Sequence, residues 1–192
     1  MKASQDPPKT PDLAPKVLEA GLRVEPLGRH HDRAAFSCGV EALDAYLKAQ
    51  ASQDMKRKAS AVFVLVQPSE PRRILGYYTL AAYALPQGDV PEAARRHIPR
   101  YPLVSATLIG RLAVSRDQQG RGLGALLLAD ALRRADGNAA IVGSSMIVVD
   151  AIDEAAARFY GGFGFVRLPD SLRLVLPVRA IAGLIDATEK MK

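Results

Sequence analysis

Cysteine is nearly absent. Cys38 is the single one in 192 residues, which excludes an intrachain disulfide and suits a reducing cytoplasm. Long apolar runs are also lacking. None reaches the ~18 residues that a membrane span requires, and the segment after Met1 has no apolar signal core, so a cytoplasmic location without a membrane partner is expected. Ligand-like spacing is missing as well: His30, His31, His97 and Cys38 match no metal pattern, and no metal is expected. No Gly-Lys-Ser/Thr occurs, which excludes a Walker A loop. No internal repeat is visible.

What remains is an ordinary globular composition, 48% hydrophobic and 24% charged. Residues 1–15 are rich in Pro, Lys and Asp without apolar periodicity and read as a disordered tail. Residues 16–192 suit one domain with a substantial core. The net charge of +6 is clustered in Lys56-Arg57-Lys58, Arg72-Arg73, Arg95-Arg96-His97 with Arg100, and Arg133-Arg134. Such clusters favour an anionic partner, although solvated basic faces are common.

Patterning gives an alternation of strands and helices. Residues 22–27 read as a first strand. Val40, Leu43 and Leu47 share one face of a helix that Lys56-Arg57-Lys58 follow. Residues 61–66 are a β-branched run and 74–85 the next strand, with Gly76 a bend. Pro86, Pro91, Pro99 and Pro102 mark a loop-rich excursion with a short helix over 91–97. A long strand over 103–114 leads to a helix over 122–135, whose stripe is Gly124, Leu127, Leu128, Ala131, Leu132 and Ala135. Asp130 and Arg134 form an i, i+4 pair away from it. Residues 145–150 are an apolar strand. Asp153 caps a helix running through Tyr160 and stopping at Gly161-Gly162. Short strands at 165–166 and 172–176 and a helix over 178–192 complete an α/β (α+β) sheet domain covered by helices.

Chemistry concentrates at Gln119-Gly120-Arg121-Gly122-Leu123-Gly124, between the long strand and its helix. Glycines let backbone N–H groups approach an anion, and a helix start offers unpaired donors and a positive dipole end. Arg121 adds a fixed charge. A pyrophosphate suits this cradle. A tight turn alone would also explain the glycines, and Gly120-x-Gly122-x-x-Ala125 matches a dinucleotide fingerprint. Too little chain follows for a doubly wound nucleotide domain.

The pattern Gln119-x-x-Gly122-x-Gly124, after a strand and opening a helix, resembles the acetyl-CoA loop of the GNAT acetyltransferases. Asp153-Glu-Ala-Ala156-Ala-Arg-Phe159-Tyr160-Gly-Gly-Phe163-Gly164-Phe165 resembles the second motif of that family, with Asp153 in place of the usual Asn. The resemblance implies a GNAT fold, with a mixed central sheet, splayed strands and flanking helices. It implies acetyl-CoA as co-substrate, held by the backbone of Leu112, Ala113 and Val114 and by Gln119, Gly120, Arg121, Gly122, Leu123, Gly124, Asp153 and Ala156. Tyr160 would be the catalytic general acid; by helical periodicity alone it is a core aromatic on the face of Ala156, Phe159 and Phe163.

The N-terminal half narrows the family. Phe36-Ser-Cys-Gly-Val40-Glu-Ala-Leu43-Asp-Ala-Tyr46-Leu47, Gln53-Asp-Met-Lys-Arg-Lys58 and the ending Phe163-Gly-Phe165-Val-Arg-Leu-Pro169 resemble the GNAT toxins of bacterial toxin–antitoxin modules. That resemblance implies acetylation of the α-amine of aminoacyl-tRNA, a ribbon-helix-helix antitoxin and a homodimer. Lys56, Arg57, Lys58, Arg95, Arg96 and Arg100 are the candidate tRNA-binding residues. A GNAT enzyme acting on a small amine or a protein lysine, and a non-catalytic acyl-CoA-binding module, are the alternatives.

Overall fold

A computed structural model describes residues 21–96, 98 and 100–189. The expected tail, residues 1–15, lies outside the described residues, as do His97, Pro99 and residues 190–192. Seven strands form one mixed sheet in the order β1-β2-β3-β4-β5-β7-β6. They are β1 Arg23–Pro26, β2 Ala61–Val66, β3 Gly76–Pro86, β4 Leu103–Val114, β5 Met146–Asp150, β6 Val166–Arg167 and β7 Arg173–Pro177. Every neighbouring pair is antiparallel except β4 and β5, which run parallel at the centre.

The helices are α1 Glu41–Ala45, α2 Ala51–Lys56, α3 Glu92–Arg95, α4 Leu123–Val142, α5 Glu154–Gly162 and α6 Val178–Glu189. Strand alternation divides their cores. Phe63, Leu65 and Tyr78 point to the side of α4, where Leu127, Leu128, Leu132, Ile109, Ile147, Val149 and Leu174 are buried with them. Val62, Val64 and Tyr77 point the other way, to Phe36, Tyr46 and Leu47. Further along that second face, Val104, Met146 and Val148 are covered by Val90, Ala94 and Ile98 of the proline-rich excursion. Each fully buried leucine of α4 contributes about 1.5–3 kcal/mol.

Three elements depart from sequence expectation. The helix expected over 122–135 continues to Val142. Its apolar stripe ends because the last turns leave the core, with Ile141 82% and Val142 65% exposed, and Gly143 at φ +73 then stops it. The helix expected to stop at Gly161-Gly162 includes both glycines. It is Gly164, at φ +83, that turns the chain. The helix begun at Glu41 is interrupted by a π-helical turn, Tyr46–Gln50, before α2.

Candidate active site

The central pair sets the site. β4 pairs with β5 over Ala106–Met146 to Ile109–Val149, then continues through residues 110–114 with no strand partner on that side among the described residues. The break coincides with a β-bulge. Thr79 pairs with Arg111 and Leu80 with Ile109, so Gly110 is the extra residue, and such an insertion bends its strand. A Cβ at Gly110 would stand 3.3 Å from Thr79 Oγ1. The expected splay is therefore present, and Leu112, Ala113 and Val114 present backbone groups to it.

The loop after β4 ends in the glycine cradle. Gly120 and Gly122 have φ of +75 and +79, and an added Cβ on either would meet nothing within 4 Å. Backbone conformation requires these glycines, and the space above them is open. The N–H groups of residues 120–124 have no backbone acceptor among the described residues. Gly122 is the N-cap of α4, so these donors gather at the positive end of a long helix. Leu123 plugs into the core at 3% exposure, and a Cβ added at Gly124 would come into ordinary contact with the Phe159 ring, 3.7 Å away.

The cradle is braced from beneath. Gln119 Nε2 donates to the carbonyl oxygens of Val114, at 3.1 Å, and Cys38, at 2.9 Å, tying the loop to the segment before α1. Gln119 was expected to face the cofactor; its amide hydrogens are engaged within the protein. Arg121 donates to Gln118 Oε1. Hydrogen bonds from Gln118 and Ser115, with Arg73 alongside, hold the Asp117 carboxyl down at about 2. Burial pushes the Cys38 thiol up to about 11, which makes it a packing residue and not a nucleophile.

Residues 60–167 match the acetyltransferase (GNAT) domain family. The chain belongs to that family. As a GNAT member it is an N-acetyltransferase and takes acetyl-CoA as donor. It is 37% identical, over 80% of its length and 90% of the relative's, to a tRNA-acetylating toxin of Mycobacterium tuberculosis strain H37Rv. It superposes with a TM-score of 0.78 on AtaT complexed with acetyl-methionyl-tRNAfMet, at 30% identity over 85% of this chain and 99% of that one. A tyrosine-to-phenylalanine mutant of the AtaT toxin, bound to the C-terminus of the antitoxin AtaR and acetyl-CoA, gives a TM-score of 0.73. There the identity is 28%, over 86% of this chain and 98% of that one.

In this acetyltransferase Tyr160 sits on α5, 6% exposed, with its ring edge-on to Phe159 and Phe165. Its hydroxyl has no hydrogen-bond partner among the described residues, yet it is not sealed, for only the Tyr46 hydroxyl is both unpartnered and fully enclosed. Burial drives the Tyr160 phenol well above its ordinary range, so it keeps its proton at neutral pH. Asp153 caps α5: its Oδ1 accepts from the Ala156 N–H at 2.7 Å. Both residues were expected at the cofactor, and this bond joins them to each other.

The basic candidates divide. Lys56, Arg57 and Lys58 end α2, are exposed and have no acidic partner among the described residues. Arg96 and Arg100 are exposed too. Arg95 is engaged, donating to the carbonyls of Val90 and Gly88 and so stapling the excursion.

Two features gave no sequence signal. Glu25, His30 and His31 meet at one corner. The Gly28 N–H donates to His31 Nδ1 at 2.8 Å, so Nε2 carries the proton and donates to Glu25 Oε1 at 3.0 Å. That tautomer offers no free lone pair to a metal. The second feature is the Arg111 guanidinium, which lies 3.5 Å from the centre of the Tyr46 ring. Tyr46 is the first residue of the π turn and is buried in the same cluster as Leu47.

Proposed function

We propose that this enzyme acetylates the α-amine of aminoacyl-tRNA and so blocks translation. The observation that carries the substrate class is the likeness to a tRNA-acetylating toxin over 80% of the chain. That span reaches beyond the acetyltransferase match at residues 60–167, into the N-terminal elements on the other side of the splay.

The residues divide the work as follows. The N–H groups of residues 120–124 hold the pyrophosphate of acetyl-CoA, and Arg121 adds charge. The open edge at Leu112, Ala113 and Val114 aligns the pantetheine arm like an added strand, although the Val114 carbonyl is already taken by Gln119. Acetyl-CoA supplies an activated thioester carbonyl. An α-amine beside an ester is less basic than lysine, and a free α-amine titrates at about 7.7–8.0, so a sizeable neutral fraction exists at pH 7 without a strong base. The amine nitrogen bonds to the carbonyl carbon while the C–S bond breaks. Tyr160 gives its proton to the departing sulfur, and the surplus proton of the amine returns to the phenolate through solvent. A β4 N–H on the open side takes the developing charge on the carbonyl oxygen. Asp153 and Ala156 act by fixing the start of α5, which carries Tyr160.

Lys56, Arg57, Lys58, Arg96 and Arg100 grip tRNA phosphates. A ribbon-helix-helix antitoxin and a homodimer complete the reading; the likeness to AtaT with the C-terminus of AtaR supports an antitoxin partner alone.

Incubation with labelled acetyl-CoA and charged tRNA tests it. The expected product is tRNA carrying an N-acetylaminoacyl group. Label on free amines but never on aminoacyl-tRNA overturns the reading in favour of a small-amine or lysine acetyltransferase. No transfer to any amine leaves a binding module.

A further inference from the structure

Four arginines among the described residues are half-buried: Arg33, Arg111, Arg134 and Arg173. Arg134 has Asp130 at 2.8 Å and Arg173 has Asp150 at 2.6 Å. Arg33 donates to Ser52. Arg111 has no carboxylate and no hydrogen bond, only the face of Tyr46. Taking a guanidinium partly out of water without an anion is costly, and an aromatic face returns only part of that, about 0.5–2 kcal/mol. The charge is held for something that arrives.

Its position says what. Arg111 lies two residues past Ile109, the last β4 residue paired with β5, and so stands at the mouth of the splay. The neighbouring Leu112 packs against the α4 core, whereas the Arg111 side chain points to the opposite face, at Tyr46. The glycine cradle belongs to the α4 side. Arg111 therefore faces the side from which an acceptor approaches. The guanidinium carbon lies 3.5 Å from the centre of the Tyr46 ring, so the ring backs the charge, and a guanidinium fork is the geometry suited to an oxyanion.

We infer that Arg111, supported by Tyr46, binds the phosphodiester next to the aminoacylated 3′ end of the acceptor and thereby positions the α-amine at the splay. This rests on the aminoacyl-tRNA reading above. In such an acceptor the α-carboxyl is esterified, so the phosphodiester of the terminal nucleotide is the anion nearest the amine. A free amino acid would instead offer its own carboxylate.

The test compares aminoacyl-tRNA with aminoacyl-adenosine, which has the ester and amine but no phosphate. Arg111→Ala raises KM for aminoacyl-tRNA about tenfold or more, the scale of one charge-assisted contact, with kcat and the KM of acetyl-CoA nearly unchanged. Turnover of aminoacyl-adenosine is the same in parent and variant. Arg111→Lys recovers much of the loss, because a point charge still attracts phosphate. Arg111→Met, which keeps a stem against Tyr46, serves in place of the alanine variant if the latter no longer binds acetyl-CoA. An equal loss on aminoacyl-tRNA and aminoacyl-adenosine overturns the inference and leaves a structural arginine. A parent that acetylates free amino acids in an Arg111-dependent manner, and not aminoacyl-tRNA, overturns the function itself and makes a carboxylate the ligand.

Discussion

The two sides of the splay are built from different materials. On the α4 side the site is backbone: the N–H groups of residues 120–124, two left-handed glycines and the open edge of β4. On the α1–α2 side it is side chains: Tyr46, Arg111 and the exposed Lys56, Arg57 and Lys58. On the proposed reading, backbone recognises what every donor molecule shares, a pyrophosphate and an amide-bearing arm, and side chains recognise what differs between acceptors. Tyr160 is buried with the α4-side core, and on the proposed reading its substitution is the strongest way to separate chemistry from either kind of binding.

Tyr160→Phe lowers kcat by about a hundredfold or more, the usual scale of a positioned acid. Dissociation constants for acetyl-CoA and tRNA stay within about twofold, because the hydroxyl makes no bond inside the protein and its loss orphans no partner. Single-turnover rates measured beside calorimetric binding check this. An unchanged kcat removes Tyr160 as the acid.

The comparison sharpens at Gly122. Alanine there meets no atom, but the left-handed conformation costs a non-glycine residue about 1–2 kcal/mol. Gly122→Ala raises the Kd of acetyl-CoA by roughly tenfold and leaves the KM of the acceptor alone. An equal effect on both would mean that the two sides are not separate materials at all.

How much was legible follows the same division. The glycine cradle, the long strand before it and the Tyr160 helix could be read from sequence because each depends on local rules: φ > 0 needs glycine, and a helix start needs a cap. Of the expected stripe, Leu127, Leu128, Ala131, Leu132 and Ala135 are buried and Gly124 is half-buried, and the Asp130–Arg134 pair is formed. Asp130 carries a further task, accepting the Tyr78 hydroxyl at 2.6 Å, which no helical pattern could show. The acceptor side depends on contacts between distant segments. Arg111 and Tyr46 come from distant segments, one just past a bulge at Gly110 and the other at the start of a π turn, and neither irregularity has a sequence period. Arg95 looked like Arg96 in sequence; only the fold shows that its donors already have acceptors.

A weaker effect tests the acceptor side alone. Replacing Lys56, Arg57 and Lys58 together by alanine weakens tRNA binding several-fold at low salt and flattens the slope of log K against log salt by up to about two to three, since each released phosphate contact removes roughly 0.7–0.9. Acetyl-CoA affinity is unchanged. Filter binding over a salt series gives the slope, and a slope equal to the parent's shows that this cluster is only a solvated surface.

The smallest effect belongs to Asp153, which the sequence placed both at the helix cap and at the cofactor, and which the structure shows capping α5. Its carboxylate accepts the Ala156 N–H at 2.7 Å, and α5 is short, so the cap matters to the whole element. Losing such a cap costs about 1 kcal/mol, within a range of 0.5–2, so Asp153→Ala lowers the denaturation midpoint modestly. Asp153→Asn keeps an accepting oxygen and restores stability. Acetyl-CoA affinity is the same in all three proteins, because the cradle that binds it is backbone belonging to α4. A tenfold rise in the Kd of acetyl-CoA with stability unchanged would put the Asp153 side chain on the cofactor, and the α4 side would no longer be built of backbone alone.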